Sequence, residues 1–200
     1  MEKVKKSLIV LISVLFIFML SVLTACSNQE SKESKTSKDK IIVYGDFKCP
    51  YCKQLEEEII PKLKKDYIEQ GKVEYQFVNM AFLGDDSIIG SRAGHAVENI
   101  DPNEYLRFQE LMFSHQPDNE KKWITEKLVD KQIDKLNISN NKAKKIKIDY
   151  KKKNSQSWRD AKKDQKIYKK NNIQEAPTVV INGKEIQDVY DYKEYKKYLK

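Results

Sequence analysis

Two apolar runs separated by a helix-forming stretch suggest how the folded part of the chain begins. The β-branched and aromatic run Ile41–Tyr44 predicts a short buried strand. Helix-forming residues start at Pro50, continue past Pro61, where the helix should bend, and stop at Gly71. Residues 73–79 then carry Val, Tyr and Phe at alternate positions, which predicts a second strand. A strand, a helix and a strand in this span predict a βαβ unit with parallel strands and a right-handed crossover.

The spacing of the apolar residues changes after the second predicted strand. From residue 81 to 171 apolar residues recur at three- and four-residue spacing, which predicts a block of amphipathic helices. The sheet should resume at Thr178–Ile181, and Asn182-Gly183 favours a tight turn into an antiparallel strand. Asp191–Leu199 predicts a closing helix whose tyrosines face the core. The predicted fold class is therefore α/β, with a helical domain inserted before the end of the sheet.

The beginning of the chain has the composition of an export signal. Three lysines within the first six residues precede a nearly unbroken apolar run from Ser7 to Leu23. The following Leu-Thr-Ala-Cys, which ends at Cys26, resembles the lipobox of bacterial lipoprotein signal peptides. This resemblance implies cleavage before Cys26, a lipid such as palmitate on its sulfur, and a location at the extracytoplasmic face of the membrane. An uncleaved membrane anchor is the alternative, since the apolar run approaches the length that spans a bilayer.

A polar segment separates this signal from the first strand. Residues 27–39 contain no hydrophobic residue and are rich in serine, lysine and acids, which predicts a disordered tether. The predicted organisation is, in chain order, a signal peptide at 1–25, a lipidated cysteine and tether at 26–39, a sheet domain at 40–80 with 172–200, and a helical insertion at 81–171.

Two cysteines, Cys49 and Cys52, lie where the first strand gives way to the helix. Gly45-Asp46 should end the strand, and Pro50 suits the first helical position because its missing N–H would have no partner there. Cys49 is therefore placed at the helix N-terminus, where unpaired amides and the helix dipole lower the pKa of a thiol. Cys52 lies one turn further along the same face. We predict that Cys49 is the nucleophile and that Cys52 is its more buried resolving partner.

Nearby charges and competing roles affect this interpretation. The positive charges of Lys48 and Lys53 should also favour the thiolate of Cys49. A lone C-x-x-C motif also occurs as half a zinc site, as a structural disulfide or by chance. A zinc site needs further ligands, and the remaining candidates, Cys26, His95 and His115, are not paired at ligand spacing. We therefore predict no metal and no cofactor besides a redox-active disulfide between Cys49 and Cys52. Because this disulfide closes a very short loop, it would add little to the stability of the fold.

The charge of the chain is strongly basic and unevenly distributed. The formal net charge is +8, and thirteen Lys or Arg lie between Lys142 and Lys170 against three aspartates. Such a density occurs at nucleic-acid sites and on the solvated faces of lysine-rich helices. Because the export signal argues against nucleic acid, we predict a solvated face, with attraction to anionic lipid or wall polymer as an alternative.

Taken together, the motifs resemble the DsbA family of thiol:disulfide oxidoreductases, close to its membrane-anchored Gram-positive members, over Ile41 to Leu199. The resemblance implies a thioredoxin fold interrupted by a helical domain, with a cis proline at 177 facing the cysteines. It also implies substrate contacts at Pro50, Tyr51, Ala176 and Pro177. The residues that carry it are Gly45-Asp46-Phe47-Lys48-Cys49-Pro50-Tyr51-Cys52, Ser91-Arg92-Ala93, Tyr105, Phe108, Gln116, Ala176-Pro177-Thr178 and Asn182-Gly183.

The function implied by this resemblance is oxidation of thiols in unfolded exported proteins, with reoxidation by a membrane protein or a small-molecule oxidant. We expect a monomer. Tyr51 between the cysteines and Ala176 before the proline depart from the common pattern, so a reductase or isomerase is the alternative. A non-catalytic surface lipoprotein that only binds a partner is a further alternative. A glutaredoxin shares Cys-Pro-Tyr-Cys but would be shorter and without the insertion.

Overall fold

A computed structural model describes residues 38–119 and 121–200. The predicted signal peptide, Cys26 and nearly all of the predicted tether lie outside the described residues. Within the described part, no helix combines the length and the apolar character needed to cross a membrane.

The centre of the fold is a four-stranded sheet in the order β2-β1-β3-β4. The strands are β1 (Asp39–Gly45), β2 (Val73–Asn79), β3 (Thr178–Ile181) and β4 (Lys184–Glu185). β1 runs parallel to β2 and antiparallel to β3, and β4 returns antiparallel to β3. The predicted βαβ unit and the predicted hairpin at Asn182-Gly183 are both confirmed, and these two turn residues have positive φ angles.

Most of the helices lie between β2 and β3 in the sequence, as predicted for the insertion. The α-helices of the insertion follow β2 in sequence, which confirms the α/β class with inserted helices. The exact boundaries of the insertion at 81 and 171 stay a prediction. The helices of the described residues are α1 (Pro50–Glu58), α2 (Ile60–Leu63), a π-helical segment (Lys64–Ile68), α3 (Ser87–Ile100), a 3-10 turn (Pro102–Glu104), α4 (Tyr105–Ser114), α5 (Glu126–Ile133), α6 (Asn140–Lys151), α7 (Gln156–Lys170) and α8 (Tyr192–Lys196).

The helix after the cysteines bends near the predicted position but not as a single kink. It is interrupted at Ile59, so that Pro61 lies in the first turn of α2, where a missing N–H costs no hydrogen bond. The π-helical segment that follows was not predicted from the sequence. The whole stretch ends at Gly71, whose φ of +65° favours glycine.

A cluster of phenylalanine rings joins the sheet to the insertion. Phe47, just after β1, lies 5.6 Å from Phe77 of β2, 6.2 Å from Phe108 of α4 and 5.1 Å from Phe113 of α4, measured between ring centroids. All four side chains are buried. Aromatic pairs at these distances stabilise beyond the area that they bury. The residue two positions before Cys49 is therefore anchored by both parts of the fold.

A buried charge pair connects α3 and α7 to the end of β2. His95 Nε2 lies 2.8 Å from Asp164 Oδ2, and the same carboxylate accepts a hydrogen bond from the Asn79 backbone N–H. Burial lowers the pKa of His95, but its contacts with Asp164 and Glu98 outweigh this effect and raise the pKa to about 9. His95 therefore carries a positive charge at neutral pH and has a structural role.

Stability should depend on pH through His95. Its folded pKa of about 9 exceeds the unfolded value of 6.5, so the contribution is complete below pH 6.5 and is lost as the pH rises through about 9. From about pH 6 to pH 10 the wild type should lose on the order of 3 kcal/mol more unfolding free energy than His95→Gln. Urea unfolding followed by circular dichroism measures this, with the exposed His115→Gln as control. Equal pH dependence in wild type and His95→Gln would contradict it.

Candidate active site

A fully buried carboxylate shapes the turn between β1 and α1. Asp46 accepts hydrogen bonds from the Lys48 N–H, the Ser87 hydroxyl and the N–H groups of Phe82 and Leu83, at 2.8 to 3.0 Å. The Asp46 carbonyl in turn accepts a hydrogen bond from the Cys49 N–H at 3.0 Å. The turn is thereby fixed to the loop after β2 and to the start of α3.

Gly45 ends β1, as the sequence predicted, and it has a further role. It is the last residue of the strand and pairs with Asn79 of β2. A Cβ atom at this position would lie 2.8 Å from the Phe77 ring and 3.0 Å from the Cys52 Sγ. Glycine is required because the sulfur and the ring approach the strand so closely.

The two cysteines lie at the N-terminus of α1, as the sequence predicted. Cys49 is the N-cap residue, and its Sγ accepts a hydrogen bond from the Cys52 N–H at 3.4 Å. As a thiol, Cys49 donates to the Ala176 carbonyl at 3.3 Å. Both thiols are free and buried, with 4% of Cys49 and 2% of Cys52 exposed. Pro50 occupies the first turn of α1 and is exposed.

The surroundings separate the acidities of the two thiols. A hydrogen bond from the Cys52 thiol, aided by the backbone N–H groups of Cys52 and Tyr51, lowers the pKa of Cys49 against the opposing effect of burial. Burial, and then the hydrogen bond to Cys49, raise the pKa of Cys52 well above its usual value. The pair therefore favours a thiolate on Cys49 and a neutral thiol on Cys52.

The two lysines expected to assist this thiolate have other partners. Lys48 Nζ forms a buried ion pair with Asp86 Oδ1 at 2.8 Å, and Lys53 Nζ donates to the Gln116 carbonyl at 3.4 Å. Neither lysine is among the groups that shift the pKa of Cys49 most. Hydrogen bonds from the neighbouring thiol and amides are the main contributions that lower this pKa. The expectation that the lysine charges add to them stays a prediction.

Contacts from the insertion hold the turn that carries Cys49. Asp86 accepts hydrogen bonds from the N–H groups of Trp123 and Ile124 in addition to its ion pair with Lys48. The Gln116 side chain donates to the Phe47 carbonyl at 2.8 Å. The inserted helices and their loops therefore position the turn on the side away from the sheet.

The segment before β3 reaches the cysteines from the opposite side. The Ala176-Pro177 peptide bond is cis, as the resemblance implied, and the Ala176 carbonyl is the acceptor for Cys49. A cleft of about 500 Å³ adjoins this contact, lined by Tyr51, by residues 175–178 and by residues 185–187, 189 and 190. Tyr51 is 63% exposed, and its carbonyl accepts a hydrogen bond from the Tyr190 hydroxyl at 3.1 Å.

The structure thus brings most of the predicted site residues together. Cys49, Pro50, Tyr51 and Cys52 lie at the start of α1, with Ala176 and Pro177 beside them, whereas Cys26 lies outside the described residues. Within residues 38–119 and 121–200, no group of three or more His, Cys, Asp or Glu side chains is placed to hold a metal.

Several residues around the site were missed by the sequence reasoning. Asp46 follows a predicted strand directly, and this position could have marked it as a turn residue. Asp86 and Tyr190 carry no local signal, because their contacts with Lys48 and Tyr51 join distant segments. Glu56 reads as an ordinary helix residue, yet burial raises its pKa to about 7, and its carboxylate accepts a hydrogen bond from Gln109 at 2.6 Å.

Comparison with known proteins identifies the family. A family model described as "Thioredoxin" matches residues 34–200. Disulfide bond formation protein D of Bacillus subtilis (strain 168) is 35% identical over 156 residues, which cover 78% of this chain and 68% of that protein. The probable disulfide bond formation protein D of Bacillus anthracis is 35% identical over 162 residues, or 80% of this chain and 72% of that protein.

Solved structures agree with the sequence comparison. The crystal structure of oxidised BdbD from Bacillus subtilis has a TM-score of 0.71 and 32% identity, covering 82% of this chain and 86% of the other. This chain belongs to the DsbA family. The crystal structure of Chlamydia trachomatis DsbA, at 17% identity and a TM-score of 0.64, shares the fold, covering 82% of this chain and 85% of the other. This chain is a thiol:disulfide oxidoreductase. Its predicted thioredoxin fold with a helical insertion is confirmed.

The acidity of Cys49 should depend on its partner thiol. Replacing Cys52 by Ala removes the largest contribution that lowers the pKa of Cys49, so this pKa should rise. Thiolate absorbance near 240 nm, recorded against pH in the reduced protein, measures the change. Cys49→Ala is the matched control and should leave, of this pair, the Cys52 thiol, whose pKa lies above the usual range. An unchanged pKa in Cys52→Ala would show that the helix amides act alone.

Proposed function

We propose that the chain is an extracytoplasmic oxidase that introduces disulfide bonds into exported proteins through the pair Cys49 and Cys52. The observation that carries the proposal is the position of Cys49, which caps α1 and faces the carbonyl of Ala176 at the edge of a cleft. Cys49 has a lowered pKa, and Cys52 is a buried thiol three residues further along the chain. Such a pair suits reversible disulfide exchange.

Each turnover would transfer two electrons from the substrate to the pair. A substrate thiolate attacks the Cys49 sulfur of the oxidised pair, which forms a mixed disulfide and releases Cys52 as a thiolate that takes up a proton. A second substrate thiolate attacks the substrate sulfur of the mixed disulfide and releases Cys49 as a thiolate. The substrate gains one disulfide bond and the pair becomes a dithiol. A separate oxidant, either a membrane protein or a small molecule, must then restore the disulfide.

The direction of exchange is supported by two arguments. A leaving group of low pKa departs faster and stabilises the reduced pair, so the lowered pKa of Cys49 favours oxidation of the substrate. The Bacillus subtilis relative is named for disulfide bond formation. A reductase would use the same sulfurs in the opposite direction and is the alternative to be tested.

The reduction potential distinguishes the two directions. Equilibration with glutathione should give a value near the roughly −120 to −180 mV of protein oxidants, and not the roughly −270 mV of thioredoxin. Cys49→Ser should abolish oxidation of a reduced unfolded protein. Cys52→Ser, treated with oxidised glutathione, should accumulate a mixed disulfide between Cys49 and glutathione, because no resolving thiol remains to release it. Alkylation and mass spectrometry follow both. A thioredoxin-like potential would reverse the direction, and an active Cys49→Ser would exclude this mechanism.

We also propose that Cys26 is lipidated and holds the protein at the outer face of the membrane, on the basis of the lipobox-like Leu-Thr-Ala-Cys. In a Gram-positive host, the wild type should incorporate labelled palmitate and begin at Cys26. Cys26→Ser should remain unlabelled and keep the mass of the precursor. An uncleaved anchor would instead give two unlabelled proteins of equal size.

A further inference from the structure

The cleft beside Cys49 differs in charge from the protein as a whole. The chain carries a net charge of +8, yet the charged side chains that line the cleft are two glutamates, Glu175 and Glu185. Long-range attraction by the net charge alone would favour substrates with acidic residues. The two glutamates of the cleft would instead favour substrates with basic residues.

Both glutamates are available to a substrate. Their side chains are exposed, and neither forms an ion pair with another described residue. Glu175 directly precedes Ala176, whose carbonyl contacts the Cys49 sulfur. Glu185 lies on β4 opposite Val180 of β3 and also lines the cleft.

Aromatic side chains complete the surroundings expected for a cation. Tyr51, between the two cysteines, exposes 63% of its surface, and Tyr190 lines the same cleft. The face of a tyrosine ring attracts ammonium and guanidinium groups. Carboxylates and tyrosine rings together are complementary to Lys and Arg.

We infer that Glu175 and Glu185 make this site selective for substrate cysteines that are flanked by Lys or Arg. The inference rests on the proposed function, because it concerns the substrate that is joined to Cys49 in the mixed disulfide. An extended segment whose cysteine reaches Cys49 would pass Ala176 and place its flanking side chains between the two glutamates. The two carboxylates are specificity-determining groups and take no part in the transfer of electrons.

The test compares three reduced peptides that contain two cysteines, flanked by Lys, Ser or Glu and otherwise identical. Oxidised protein is mixed with excess peptide, quenched with acid, alkylated and analysed by mass spectrometry to obtain second-order rates. A flanking cation also makes any thiol more acidic, so each rate is divided by the rate of the same peptide with an uncharged disulfide, that of 2-mercaptoethanol. The corrected rate for the Lys peptide should exceed that for the Glu peptide by roughly three- to tenfold.

The variant Glu175→Gln/Glu185→Gln should reduce this preference to less than about twofold. The control Glu69→Gln/Glu126→Gln removes the same charge from exposed positions outside the cleft and should keep the preference. High ionic strength should weaken the preference in the wild type, which tests the inference without any variant.

Failure of the inference can be told apart from failure of the proposed function. Equal corrected rates, a preference for the Glu peptide, or a preference that persists in Glu175→Gln/Glu185→Gln would overturn the inference while oxidation itself proceeds. If the wild type oxidises none of the peptides, the proposed oxidase function fails. The same charge preference must then appear in the reduction of the disulfide forms of the peptides, and its absence there would overturn the inference as well.

Discussion

The geometry of the reactive end of the molecule depends on one buried carboxylate. Asp46 accepts hydrogen bonds from the turn after β1, from the loop after β2 and from the first residue of α3. An unpaired buried donor or acceptor costs about 1–3 kcal/mol, so each of these segments is held where it can reach the carboxylate. The orientation of Cys49 at the helix N-terminus follows from this arrangement, because its own N–H is bonded to the Asp46 carbonyl.

The sheet and the hairpin could be predicted because their signals are local. Alternating apolar residues at 73–79 and the Asn182-Gly183 turn specify their conformation through neighbours in the sequence. Pro61 predicted the bend in the helix after the cysteines, but the π-helical segment Lys64–Ile68 carries no comparable local signal. The requirement for glycine at position 45 was likewise hidden, because it arises from Phe77 and from Cys52 one helical turn into α1.

The candidate site shows the same division between local and distant causes. A strand followed by Cys-Pro at a helix start places Cys49 by rules of capping, and the structure has it at that position. The partners of the lysines could not be predicted, because a sequence gives the positions of charges and not the groups that they contact. Asp86, which is 38 residues away from Lys48, pairs with the charge that was expected to act on the thiol.

The phenylalanine cluster makes the sheet and the inserted helices share one core. Phe47 contacts Phe77 of the sheet together with Phe108 and Phe113 of α4, so a single set of aromatic contacts belongs to both parts. Without α4, a large ring would be uncovered two residues from Cys49. The insertion is therefore not a removable module attached to a self-sufficient scaffold. The two parts should unfold in one cooperative transition, and grafting the cysteine motif onto a smaller sheet would not reproduce this site.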